Sequence, residues 1–150
     1  MYKNSFVHYL TKILVDVMFY GGTICCVAVP FLVPKLVEVS NYETRNVTPF
    51  IIVLLLLGLS SIYILWQLKI IFKTLIGGNP FVDSNVNCLR KMAIASFIIT
   101  IIFIVDFFKV LSLASLFSFV LFGLLGLFCL TLKDVFKQAI AYKEENDWTV

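Results

Sequence analysis

The chain has 150 residues, 61% hydrophobic and 14% charged, with 12 Lys and Arg against 9 Asp and Glu for a net charge of +3. So little charge excludes a soluble domain, and the length leaves room for one unit rather than two. A single His, no paired acids on an apolar face, no nucleophile beside a base and no glycine-rich phosphate cradle argue against an enzyme.

Four apolar stretches organise the chain: Ile13 to Val33, Pro49 to Leu65, Met92 to Phe108 and Leu113 to Leu132. Each approaches or reaches the roughly 20 residues that cross a bilayer core of about 30 Å. They predict an all-α integral membrane bundle of four transmembrane helices, with spans at about 13–34, 49–70, 92–110 and 113–133 and a cytoplasmic tail over 134–150.

Before the first span, Tyr2, Phe6, Tyr9 and Ile13 recur at i, i+4, i+7 and i+11, the stripe of a helix lying in the membrane interface, with His8 a solvated polar residue. A basic start and an apolar run also describe a signal peptide, but Asp16 and a run longer than roughly 7 to 15 residues favour a retained anchor. Lys12 and Asp16, spaced i, i+4, predict a local ion pair near the membrane surface; the sharper alternative for Asp16 is a polar contact to another helix or to a transported ion. Gly21, Gly22 and Cys26 form a small face suited to close helix approach. Pro30 and Pro34 are expected to kink or end this helix. Cys25, Cys26, Cys88 and Cys129 lack metal-ligand spacing and read as packing residues, so neither metal nor cofactor is expected.

Thr48 followed by Pro49 predicts a capping hydroxyl and then a first helical turn. The apolar pattern then runs unbroken to Ile76, about 42 Å at 1.5 Å per residue, so this helix outruns the membrane. Trp66 marks its inner interface, with Lys69 and Lys73 on the solvated face beyond. Gly77-Gly78-Asn79-Pro80 breaks the helix, with Asn79 and Pro80 suited to a cap and first turn. Phe81 to Lys91 then reads as a short interfacial helix, Phe81, Val82, Val86 and Leu89 toward lipid and Asp83, Asn87 and Arg90 toward water. Asp106 and Lys109 are the only charges between Met92 and Leu132; their i, i+3 spacing predicts a rim-level ion pair beside a tight hairpin at 109–115, the alternative being a role in a polar cavity.

Basic residues cluster before the first span, between the second and third, and after the fourth, which puts both termini in the cytoplasm. Leu68 to Lys73 and Leu132 to Lys137 echo one another, as do Leu10 to Lys12 and Leu89 to Lys91, in the order of two parallel hairpins; convergent lysines at helix exits give the same echo. The acidic end, Glu144, Glu145 and Asp147, is expected to dock on the basic surface from Lys69 to Lys91.

Membrane insertion alone leaves two stretches unexplained: Gly78-Asn79-Pro80-Phe81-Val82, with Asn85 and Leu89-Arg90-Lys91 after it, and Tyr142 to Val150. On these motifs the chain resembles the bacterial four-helix membrane proteins grouped as domain-of-unknown-function family 2975, departing from the pattern at Ser84 and Trp148. The resemblance implies a bacterial plasma-membrane protein of a class without an established activity. It also implies a partner, because genes of this kind often neighbour small helix-turn-helix regulators.

The leading expectation is therefore a membrane interaction protein, regulatory or sensing, whose cytoplasmic face binds such a regulator through Phe81, Val82, Asn85, Arg90, Lys91, Tyr142, Glu144, Glu145, Asn146, Asp147 and Trp148. The alternatives are an immunity protein against a peptide toxin and a small transporter or channel subunit, for which Asp16, Asp106 and Lys109 are the available intramembrane polar residues. Expected partners are the lipid bilayer, the regulator and, as a further option, a second copy of the chain, with no direct contact to nucleic acid.

Overall fold

Lipid offers a backbone no hydrogen-bond partner, so each apolar stretch satisfies its own amides by coiling. A computed structural model describes residues 6–39 and 47–148. It contains α1 (Phe6–Val39), α2 (Thr48–Ile76), α3 (Asp83–Val110) and α4 (Leu113–Trp148), and every one is long and apolar enough to cross a membrane. The loop between α1 and α2 lies outside the described residues from 40 to 46.

Several local expectations shift. α1 continues through Pro30 and Pro34, so neither ends it, and it runs from Phe6 without a separate interfacial segment. Thr48 is the first helical residue rather than the cap; Val47 takes the cap position, and no side chain bonds the first turn. Residues 83–91 are the opening turns of α3, not an independent surface helix, and the cap is Val82 in extended conformation rather than Asn79. The tail from residue 134 to Trp148 is a continuation of α4. α4 propagates past its membrane-length segment because neither glycine nor proline follows Leu132 to stop it.

The helices pack as an open row. α1 approaches only α2, α2 also meets α3, and α3 packs along α4. α3 is therefore the shared element and holds most of the buried side chains, among them Cys88, Leu89, Met92, Ala93 and Ile99. Met92, Ala93 and Cys129 centre a cluster that receives Ile64, Leu68 and Ile71 from α2 and Leu125 from α4. α1 and α4 leave long apolar stripes on the surface, such as Ile13, Val17, Ile24 and Phe31, as a lipid solvent permits.

Small residues set the closest approaches. A Cβ on Gly58 would fall 2.8 Å from Cys26 Sγ, and one on Gly126 would fall 3.0 Å from the Phe97 ring. On α1, Val15, Phe19, Gly22 and Cys26 follow the i, i+4, i+7, i+11 spacing of a single stripe. Of the small face foreseen on α1, Cys26 and Gly22 meet α2, while Gly21 has open space beside it. Asp16 near Lys69, Phe19 near Trp66, and Gly22 near Ile62 run in opposite directions along the two chains, so α1 and α2 are antiparallel. Asp106 against Ser115 and Phe97 against Gly126 show the same for α3 and α4.

Gly58→Leu should lower stability by about 1–3 kcal/mol through overpacking. The milder Gly58→Ala should be rescued when Cys26→Ala removes the sulfur it meets. Thermal unfolding in detergent checks both, and a Gly58→Ala defect that persists in the double variant would show that this contact does not set the α1–α2 spacing.

Candidate interaction face and the polar contacts behind it

The face begins where α2 stops. Gly78 has φ +80, a left-handed value that costs glycine nothing. Its N–H reaches Leu75 O at 3.2 Å, and the N–H of Asn79 reaches Thr74 O at 3.3 Å. That pair of bonds is the Schellman termination, and Pro80 follows where the helix can no longer continue. The Gly-Gly-Asn-Pro run is thus a specific helix stop.

Asn85 then ties the loop to both helices. Its Nδ2 donates to Pro80 O at 2.6 Å and to Thr74 Oγ1 at 2.7 Å. The Thr74 hydroxyl in turn has Ile71 O at 2.8 Å and Asn85 Oδ1 at 2.9 Å within reach of its one hydrogen. The backbone N–H of Asn85 bonds Val82 O at 2.9 Å, closing the first turn of α3. Asn85 is 0% exposed. It cannot touch a partner, so among the expected contact residues it is corrected to the residue that holds the face in shape.

The far end of α4 folds over this loop. Phe81 and Phe136 rings meet with centroids 5.3 Å apart, and Lys143 Nζ lies 3.5 Å from Asn79 Oδ1. Between them lies a crevice of about 320 Å³ lined by Phe81, Val82, Asp83, Ile140, Lys143 and Glu144. Two sequence-distant stretches therefore meet, through an aromatic pair and a lysine on an asparagine. Tyr142, Glu144, Glu145 and Asn146 are exposed on the closing turns of α4. The side chains of Asp147 and Trp148, and residues 149 and 150, lie outside what is described. Arg90 and Lys91 are exposed on α3, and Lys91 borders a separate apolar crevice with Ser60 and Tyr63.

Asp16 makes the contact to another helix that stood as its alternative, and Asp106 takes a partner other than the expected Lys109. Asp16 pairs with Lys69 of α2 at 2.9 Å instead of Lys12. Lys69 turns back to α1 and lies 4.6 Å and 4.8 Å from the centres of Phe19 and Tyr20, so it does not stand on a solvated face. The cause is tertiary: antiparallel docking brings Lys69 to the level of Asp16, where an aromatic-flanked ammonium is partly shielded from water. Asp106 accepts a hydrogen bond through Oδ2 from Ser115 Oγ across the hairpin. Among the described residues it makes no ion pair with Lys109.

Sequence reasoning passes over Thr74, Ser115 and Phe136. Ser115 had a usable signal, because it and Asp106 lie within a few residues of the turn on either side. Thr74 and Phe136 had none, since their partners come from other helices. Gln67 and Ser96 were also silent; both are buried, and Gln67 Oε1 and Ser96 Oγ have no partner among the described residues.

Asn85→Ala should cost about 1–3 kcal/mol by leaving Pro80 O and Thr74 unpaired. Asn85→Asp should be as damaging because it removes both donors, while Thr74→Ser should be nearly neutral. Chemical or thermal unfolding in detergent ranks the three, and a harmless Asn85→Asp would exclude the clamp. For the ion pair, an Asp16→Ala and Lys69→Ala double-mutant cycle should return a small favourable coupling that weakens with added salt; zero coupling would assign Lys69 to the aromatic rings alone.

No curated protein and no solved structure matches this chain. One family model, described as a protein of unknown function (DUF2975), matches residues 6–150 and so takes in all four helices, the α2–α3 loop and the closing turns of α4. On that match, covering nearly the whole chain, the protein belongs to the DUF2975 family.

Proposed function

We propose that this is a non-catalytic, multi-pass protein of the bacterial plasma membrane whose α2–α3 end faces the cytoplasm and engages a protein partner. The observation that carries this reading is the joining of the Asn79 to Asp83 loop to the end of α4 through Phe81 and Phe136 and through Lys143 and Asn79. Membrane insertion needs neither contact. They give a face with a crevice of mixed lining, Phe81, Val82 and Ile140 beside Asp83, Lys143 and Glu144.

Orientation follows from charge. Lys69, Lys73, Arg90, Lys91, Lys133, Lys137 and Lys143 gather toward that end, and basic residues stay on the cytoplasmic side during insertion. A small helix-turn-helix regulator is the concrete partner. Its DNA-binding surface is basic because it must neutralise phosphates, and although basic residues surround the crevice, Asp83 and Glu144 outnumber Lys143 within it and are the groups that surface would engage. Binding there would withhold the regulator from DNA.

A photo-crosslinker at Tyr142 in native membranes should capture the neighbouring regulator, and Glu144→Lys should cut the yield about fivefold, the effect of losing about 1 kcal/mol at an exposed pair. Deletion of the gene should change a transcript set. Sensitivity to a peptide toxin without a transcript change would favour the immunity reading, and a reporter at Val150 that signals from outside the cell would overturn the orientation and the face together.

A further inference from the structure

A second crevice lies at the opposite end of the molecule, between the start of α2 and the end of α3, with a volume of about 420 Å³. That size falls in the range of roughly 300–1,000 Å³ typical of ligand pockets. Phe50, Val53 and Leu57 of α2 and Ile102 and Phe103 of α3 form apolar walls, and Asp106 and Lys109 stand at the same site. From Ile102 to Lys109 the helix rises about 10 Å, most of the depth of one leaflet of a core about 30 Å thick. Phe50, Val53 and Val105 are exposed beside it, so the crevice opens sideways onto the surface that lipid covers.

The two charges make the site specific. Asp106 is held by the Ser115 hydroxyl through Oδ2, and no hydrogen bond among the described residues uses Oδ1. Lys109 is exposed and has no acidic partner among the described residues. Asp106 and Lys109 lie in the last turns of α3, at the end of a helix long and apolar enough to cross a membrane, where charged side chains can reach lipid head groups. An occupant with a single charge would engage one of the two side chains and leave the other without a counter-charge. A zwitterion with an apolar chain satisfies both.

We infer that this crevice binds a phosphatidylethanolamine-type lipid, its acyl chain between α2 and α3, its phosphate on Lys109 and its primary ammonium donating to Asp106. The ammonium must carry N–H bonds for that donation. Phosphatidylcholine has the same charges but no such hydrogen, and phosphatidylglycerol has the phosphate without the cation, so the three head groups separate the contributions. The inference stands independently of the cytoplasmic face.

The test is native mass spectrometry of the full chain released from detergent with equal amounts of phosphatidylethanolamine, phosphatidylcholine and phosphatidylglycerol of identical acyl chains. Phosphatidylethanolamine should be retained about tenfold over the other two, the effect of one hydrogen bond to a charged group. Asp106→Asn should abolish its advantage over phosphatidylcholine, and Leu57→Trp, which fills the crevice, should remove all retained lipid. Stepwise N-methylation of the head group should reduce retention, with the largest fall when the last N–H is lost. That series uses the unaltered protein and decides the matter even if Asp106→Asn does not fold. Equal retention of phosphatidylethanolamine and phosphatidylcholine, or a preference for phosphatidylglycerol, would overturn the assignment.

Discussion

The amide of Asn85 sits where α2 has ended and α3 is beginning, and it is fully removed from solvent. Its two donors go to Pro80 O and Thr74 Oγ1, one in the loop and one in the last turns of α2. Lipid would drive both helices to form without this side chain, but it would not fix the angle or distance between them. Hydrogen bonds in a shielded site supply that constraint, because they are directional and leaving them unmade is expensive. Phe81 inherits its position from the same clamp, and with it the contact to Phe136 that brings α4 over the loop.

Three polar side-chain contacts link neighbouring helices, and each lies toward an end of the molecule. Asp16 reaches Lys69 near the start of α1, Thr74 reaches Asn85 at the loop, and Ser115 reaches Asp106 beside the opposite turn. The middle is held by small residues instead, with Gly58 against Cys26, Gly123 against Thr100 and Gly126 against Phe97. This division suits a lipid solvent, where apolar surfaces have no drive to leave the tails and helices associate by close packing and by polar pairing. Among the described residues α1 and α4 each pack on a single neighbouring helix, and α4 does so more extensively.

The two ends of the molecule differ in chemistry. One presents a folded loop and a helix end that rise beyond the membrane-length segments, with Asp83, Lys143 and Glu144 around a crevice. At the other, the short turn between α3 and α4 exposes Phe108, Leu111 and Leu113, and Leu111 adopts a left-handed φ of 48. A leucine in that conformation is disfavoured by roughly 1–2 kcal/mol, a cost the turn accepts to reverse two long helices within Leu111 and Ser112. An apolar turn belongs in or against the membrane, whereas a charged, structured end belongs in water.

Apolar run length and the position of glycine and proline determined the helix number, the stop after Ile76 and the hairpin near Leu111, because those depend on local backbone energetics and on the thickness of a bilayer. They left open whether Pro30 and Pro34 would kink or end α1, and the helix, surrounded by lipid, persists past both; at residues 83–91 they did not separate a surface helix from the first turns of a spanning one, since both share an amphipathic pattern. Tertiary structure alone decided the partners of the polar groups. Lys12 stands one turn from Asp16 in sequence, but antiparallel docking brings Lys69 there, and Asn85 reads as a surface residue until the loop closes over it. Partner choice depends on the relative rotation and depth of two helices, and that is set by small residues such as Gly58 and Cys26 acting across the interface, a relation between distant positions that no local pattern in the chain encodes.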